Sequence, residues 1–338
     1  MTGAAGQVGL AMREELRGRY KLLRCSDIAA MDPTVEGEEV VRADLTERST
    51  HARLFDGIDG ITHLGGLSVE DDWAPILRVN IDATYDFFVA AAEAGVRRIV
   101  FASSNHVVGF YRRDVRLTPE ERPRADTRCG LSKAFGELLG QYVSDQYGVG
   151  ILSVRIGSCF EKPTNERFLS TWASRRDLAQ LFAIGLETPT LHHEIVWGVS
   201  GNNRGWWDNS RAHELGYRPL DNAESHAATF DHAATREADP LSRALQGGGF
   251  VGAEYRGDPA RVLGERPRGP DTTQWRRRKQ NDDSQETGHP GGRDGFRRRG
   301  HAGHGAKSKP AHLCRPEFRR DRPGAASSGR ARRDVHRR

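Results

Sequence analysis

The chain has 338 residues, 51 Lys and Arg against 46 Asp and Glu, and a formal net charge of +5. That average joins two unlike segments: residues 256–338 hold 23 of the basic and 10 of the acidic residues, leaving 28 against 36 for residues 1–255. The first segment carries apolar runs at element spacing and should bury a core. The second is rich in Arg, Gly, Pro, Ser and His with few aliphatics and is expected to stay disordered. No apolar run approaches the roughly 18–20 residues that cross a membrane, and no basic-then-apolar leader opens the chain. Cys25, Cys129, Cys159 and Cys314 show no metal-type spacing, so a reduced cytoplasmic protein without a metal site is expected.

Taken in chain order, "TGAAGQVGLAMREELRG" reads as a glycine turn entering a helix. "KLLRCSD" and "EEVVRADLTE" then read as strands, and "GITHLGG" as a short buried strand closed by glycines. "ILRVNIDATYDFFVAAAEAG" has helical period and a glycine stop. "RRIVFASSNHVVG" is a strand ending in polar residues, "SKAFGELLGQYVSDQYG" a second long helix, and "GILSVRIGSCF" the next strand. Strands alternating with helices predict an α/β, Rossmann-type, doubly wound parallel sheet. Residues 1–164 form the nucleotide-binding part, 165–255 a small C-terminal substrate lobe of helices and short strands, and 256–338 the basic tail. A hydrophobic strand normally precedes such a glycine turn, and here the turn begins at Thr2-Gly3. The central first strand is therefore expected to be missing from the chain as given, with the true start upstream.

Gly3, Gly6 and Gly9 stand at three-residue spacing before a helix. That pattern allows a tight turn, close approach to a pyrophosphate, and a helix N-terminus facing the anion. Alone it is a weak signal, because a glycine-rich turn is often only a turn. Asp27 ends the following strand, where a carboxylate accepts from ribose hydroxyls and repels a 2′-phosphate, favouring NAD over NADP. Asp44 closes the next strand at a spacing suited to the adenine edge. Gln7, Val8, Leu45 and Asn80 are counted with these cofactor contacts.

With "TGAAGQVG", "HLGGLSVE", "RIVFASSNHVVGFY", "SKAFGE", "RIGSCF", "STW", "VWG" and "GWWDN" in place, the chain resembles the extended short-chain dehydrogenases/reductases, and within them the bacterial NAD-dependent uronate dehydrogenases. The match spans roughly residues 2–251. It implies oxidation of D-galacturonate or D-glucuronate at C1 to the aldarolactone, with NAD accepting the hydride, in a homo-oligomer. It further implies that Ser104 bonds the reacting hydroxyl and that Lys133 holds the nicotinamide ribose and lowers the base's pKa. Leu64, Gly65, Gly66 and Cys159 line the cofactor. Ser68, Asn105, His106 and Ser158 bind sugar hydroxyls, and Arg167 pairs with the uronate carboxylate. Each residue alone has a blander reading: turn-forming Ser104 and Asn105, a structural His106, a solvated Arg167, Trp206 and Trp207 in a core. The His192–His193 pair reads as surface.

One position departs from the resemblance: where that family places its catalytic tyrosine, this chain has Cys129. A thiol starts at a lower pKa than a phenol, and the neighbouring cations are expected to favour its thiolate. The phenol oxygen, however, extends roughly 3–4 Å further, more than a hydrogen-bond length. Impaired chemistry on a nearly intact binding site is the expectation. Two other readings compete with it. One is a catalytically dead NAD-binding sensor. The other is nucleic-acid binding through the "WRRRK" and "FRRRGH" runs of the tail, a reading no folded recognition motif supports.

Overall fold

The computed structural model describes residues 1–31, 36–253 and 255–264. Its elements follow the alternation of the sequence. Helix α1 (Gln7–Glu15) leaves the glycine turn, and strands β1 (Leu23–Asp27) and β2 (Glu38–Arg42) follow. After α2 (His51–Phe55) and β3 (Gly60–His63), one helical run comprises α3 (Trp73–Ile76), a π-helical segment Leu77–Asp82, and α4 (Ala83–Glu93). Next come β4 (Arg98–Ser104), α5 (Arg128–Tyr147), β5 (Gly150–Ile156), α6 (Phe168–Thr171), α7 (Arg175–Glu187) and β6 (His193–Gly198). Short helices complete the described chain: α8 (Ser210–Glu214), α9 (Pro240–Ala244), α10 (Gly249–Ala253) and α11 (Pro259–Val262).

All strand pairs are parallel, with β1 beside β2 and the order β3-β4-β5-β6 in a second run. Thr2 joins the two runs through parallel bridges to Ser26 and His63. Its N–H donates to the Thr62 carbonyl (3.0 Å), and its carbonyl accepts from Leu64 N–H (3.3 Å). Because successive strand residues face opposite sides, Val100, Leu152 and Val154 enter one core with Met12, Leu16, Leu178, Phe182 and Val196, under α1 and α7. Ile99, Phe101 and Ile151 enter the other, with Phe55, Phe87, Phe88, Leu139 and Val143, under α2, α4 and α5. Helices on both faces make the sheet doubly wound, as the alternation predicts.

Three features differ from the sequence reading. Strand β6 and helix α7, drawn from the stretch assigned to the substrate lobe, complete the sheet and its core. His193, read as surface, opens β6 half-buried and bonds Ser153 Oγ (3.2 Å) and Gln141 Oε1 (3.1 Å), while His192 is exposed and pairs with Asp145 (2.8 Å). Residues 256–264, read as tail, are structured: Val262 and Leu263 pack on Leu245 and Val251 beside Phe110, and Arg112 Nη1 donates to the Leu263 carbonyl (2.9 Å). The rest of the basic segment, including Cys314 and both arginine–aromatic runs, lies outside the described residues. Among the described residues no helix is long and apolar enough to cross a membrane.

Candidate active site

The carboxyl ends of the parallel strands converge on one cavity of about 1150 Å³, the place where open α/β sheets bind ligands. At its first end sits the glycine turn. Gly3 has φ +66°, and a Cβ there would lie 2.6 Å from Gly65 N and Leu64 C; a Cβ on Gly9 would lie 2.2 Å from Gly3 O. Both positions therefore demand glycine, and the result is a backbone pressed against the Leu64–Gly66 loop with the N-terminus of α1 open to the cavity. Asp27 closes β1. Its carboxylate accepts from Ala5 N–H (3.0 Å) and Ala29 N–H (2.9 Å), which fixes it at the rim. Asp44 accepts from Thr46 N–H and Oγ1–H, both at 2.9 Å.

Gln7, Val8, Leu45, Leu64, Gly65 and Gly66 line the same cavity, as do Ser68, Ser104, Asn105, His106, Cys129, Lys133, Ser158, Cys159 and Arg167. Of the residues assigned to cofactor, substrate or catalysis, Asn80 is the exception. It sits in the π-helical segment, buried behind Gly66, accepts from Leu67 N–H (2.7 Å), and donates to Leu67 O and Ser132 Oγ (both 2.9 Å). Asn80 thus ties the Leu64–Leu67 loop to α5. A π-helical turn at such a place is common near functional sites.

Helix α5 presents Cys129 and Lys133 on one face, four residues apart. Thr127 caps it by accepting from Gly130 N–H (2.8 Å), and Glu70 accepts from Cys129 N–H (3.1 Å). Lys133 Nζ lies 4.9 Å over the Phe101 ring, and burial lowers its pKa. The thiol of Cys129 donates to the Leu67 carbonyl (3.3 Å). Burial raises its pKa, with Glu70 and Asp126 adding to the effect and Lys133 opposing it. Against the expectation that neighbouring cations favour a thiolate, desolvation outweighs Lys133 and shifts Cys129 towards the thiol. Burial likewise pushes Cys159 up to about 11.

At the other end, Ser104 Oγ accepts from His106 N–H (3.1 Å) at the close of β4. Arg167 donates through Nε and Nη2 to the Gln246 carbonyl (2.9 and 2.8 Å) and through Nη1 to Ser158 Oγ (3.5 Å). The Asn105 amide, oriented to donate to Ile156 O (3.1 Å), accepts from Arg167 Nη2 (2.7 Å). These partners are neutral oxygens, and burial draws the guanidinium down to about 10. A cation so held favours an anionic ligand.

Three residues of this end were not legible in sequence. Phe250 of α10 lines the cavity and packs edge-on to His106, with ring centroids 4.7 Å apart. Asp126 holds His106, and Gln246 supplies the carbonyl for Arg167 while its Oε1 accepts from Trp207 Nε1 (2.7 Å). They reach the site from far along the chain. The one local signal is the glycine run Gly247–Gly249: a Cβ on Gly247 would lie 1.7 Å from Asp126 Oδ2, and one on Gly248 2.6 Å from Arg167 Cδ.

A parallel sheet with a glycine turn, a strand-end carboxylate and a long cavity defines a dinucleotide-binding enzyme scaffold of the Rossmann type. The chain belongs to the NAD dependent epimerase/dehydratase family, whose model matches residues 1–206. It is similar to the uronate dehydrogenase of Pseudomonas putida, 44% identical over 252 residues that cover 74% of this chain and 94% of the relative. A solved structure of uronate dehydrogenase from Agrobacterium tumefaciens, a tyrosine-to-alanine mutant complexed with NAD, superposes with TM-score 0.70 at 43% identity, covering 74% of this chain and 95% of that one. Glucuronic acid dehydrogenase from Chromohalobacter salexigens gives TM-score 0.71 at 40% identity, covering 76% and 96%.

Proposed function

We propose that this protein is an NAD-dependent uronate dehydrogenase that oxidises D-galacturonate or D-glucuronate at C1 to the aldarolactone. The observation that carries the reading is Arg167: a guanidinium drawn into the cavity, held by neutral oxygens, and next to Ser104 and Asn105 at the end of β4. A planar fork in that setting pairs with a carboxylate through two parallel bonds, which a neutral hexose does not offer.

The residues at the other end fit the cofactor. Gly3, Gly6 and Gly9 would let the backbone approach a pyrophosphate at the α1 N-terminus, and Asp27 would accept from the adenosine ribose hydroxyls. Asp44 and Leu45 would flank the adenine, while Lys133 and Cys159, which line the same cavity, would stand by the nicotinamide end. When bound, NAD supplies the acceptor for the C1 hydride. The chain's own work is to orient and deprotonate. Ser104 keeps its hydroxyl hydrogen free, because its oxygen already accepts from His106 N–H, and so can bond the reacting oxygen. Ser68 and Ser158 stand within the same cavity for the remaining hydroxyls. The substrate carboxylate, by pairing with Arg167, fixes which sugar carbon faces the cofactor.

The test is appearance of NADH absorbance when the full chain is mixed with NAD and galacturonate or glucuronate, against galactose and glucose as neutral controls. Equal rates with neutral sugars, or no NADH with either uronate, overturns the reading. The protein acts as a homo-oligomer in the cytoplasm on this proposal, with sedimentation of the purified chain as the check on its assembly.

A further inference from the structure

The reaction needs a group that takes the C1 hydroxyl proton, and Cys129 is poorly placed to be it. Its sulfur donates to the Leu67 carbonyl (3.3 Å) and so points at the loop, and burial raises its pKa. The same cavity contains one side chain built otherwise. His106 Nδ1 lies 3.0 and 2.9 Å from the two oxygens of Asp126, whose side chain is 0% exposed.

That pairing is not incidental packing. The Asp126 carboxylate lies where a Cβ on Gly109 (2.1 Å) or on Gly247 (1.7 Å) would strike it, so the backbone on both sides is trimmed to admit it. Those two glycines are themselves joined, Gly247 N–H to Gly109 O at 2.9 Å. Asp126 N–H donates to the His106 carbonyl (3.3 Å), and the first turn of α5 closes on that carbonyl, which a Cβ on Gly130 would meet at 2.5 Å. The Phe250 ring covers His106 from a third side.

In a neutral imidazole, a buried carboxylate accepting from Nδ1 selects the tautomer with its hydrogen on Nδ1, which leaves the Nε2 lone pair as the acceptor. The imidazole remains 17% exposed and lines the cavity together with Ser104, Cys129 and Lys133. This orientation of an imidazole by a carboxylate is the arrangement that serves general-base catalysis on unrelated folds.

We propose that His106, oriented by Asp126, is the general base of this protein and accepts the C1 hydroxyl proton at Nε2. The inference rests on the uronate dehydrogenase reading above. As the O–H bond breaks, its proton passes to Nε2. Its electron pair forms the C1=O bond of the lactone, and the C1–H pair leaves as hydride to the oxidised nicotinamide acceptor of that reading. Asp126 keeps its charge and stabilises the imidazolium; it is a positioning residue, and His106 the catalytic one.

The test uses the full chain labelled with ¹⁵N-histidine. The His106 ring, assigned by its loss in His106→Gln, should show a protonated Nδ1 and a bare Nε2, and Asp126→Asn should move the hydrogen to Nε2. A protonated Nε2 in the unsubstituted protein overturns the dyad whatever the activity. In turnover, His106→Ala should lower kcat by about 10²–10⁴-fold, the usual loss of a general base, with NAD affinity intact and added imidazole restoring at least part of the rate. Asp126→Asn should lower kcat while KM for galacturonate stays within a few-fold, and Cys129→Ser should cost far less than His106→Ala. If His106→Ala instead raises KM with kcat kept, His106 binds sugar only and the proposal falls while the dehydrogenase reading stands. A wild-type chain that makes no NADH with either uronate overturns both.

Discussion

Arg167 shows how one side chain is tuned by what surrounds it. Its hydrogen-bond partners are neutral oxygens, and the carboxylates of Glu237 and Asp126 act on it through space rather than by direct bonds, so its fork stays open to a ligand. Arg167→Ala is expected to weaken galacturonate binding by roughly 2–5 kcal/mol, the usual cost of truncating a buried charge pair, and to change galactose binding far less; calorimetry with both sugars checks this. Asp27 works by the opposite sign. Because its oxygens also brace Ala5 and Ala29, Asp27→Asn keeps much of the shape and removes the charge. The preference for NAD over NADP should then fall by on the order of tenfold or more, as a like-charge clash is relieved. Fluorescence titration with both nucleotides measures it, and an unchanged ratio would assign the discrimination elsewhere.

At the scale of elements, α5 carries both chemistry and support. Its outer turns present Cys129 and Lys133, and one turn further Glu137 meets β5. Glu137 Oε1 and Oε2 accept from Arg155 Nε (2.8 Å) and Nη2 (2.9 Å), and Ser103 Oγ donates to the same carboxylate (2.6 Å). Arg155 is 1% exposed and stacks 5.1 Å from the Trp197 ring. A buried pair broken on one side leaves a bare charge, so Glu137→Ala should destabilise the fold by roughly 3–5 kcal/mol. Denaturant unfolding reads the loss directly, and a change below about 1 kcal/mol would show that the pair is dispensable. The chemistry of α5 and the lock of the helix onto β4 and β5 thus share one element, which is why the site can be held still.

Across the whole molecule, His63 links the sheet to pH. It is buried among Phe87, Phe88 and Phe101, with Nδ1 3.1 Å from Thr2 Oγ1 and no partner at Nε2. Burial, reinforced by the Lys133 charge, lowers its pKa to about 3. The unfolded imidazole takes its proton near 6.5, so between about 3 and 6.5 the unfolded state binds more protons and stability falls as pH drops. Replacing it, His63→Gln, should remove about one proton from that slope; identical pH dependence of melting in both proteins would exclude the effect. The segment after Tyr255 gives a second whole-molecule test. Because Val262 and Leu263 pack on the α9–α10 cluster, a chain cut after Tyr255 should melt several degrees below one cut after Gly264; equal melting of the two would show that this packing adds no stability.

What the sequence determined by itself was local or periodic. Alternating runs gave the parallel sheet and both of its faces, and the glycine spacing at Gly3, Gly6 and Gly9 placed the turn. The strand ends placed Asp27 and Ser104, with Asp44 two residues past the end of β2, and the four-residue step from Cys129 to Lys133 put both on one helical face. These are consequences of backbone period and glycine sterics, which act within a few residues. The tertiary structure decided whatever depends on distant segments meeting. Asp126 reaches His106 across 20 residues of chain, and Gln246 and Phe250 close the site from beyond residue 240. Asn80 turned out to stand behind Gly66, braced on Leu67, and β6 joined the sheet. It also decided the direction in which the Cys129 pKa moves, because desolvation depends on what covers a group, and a sequence lists neighbours along the chain but not the atoms that exclude water.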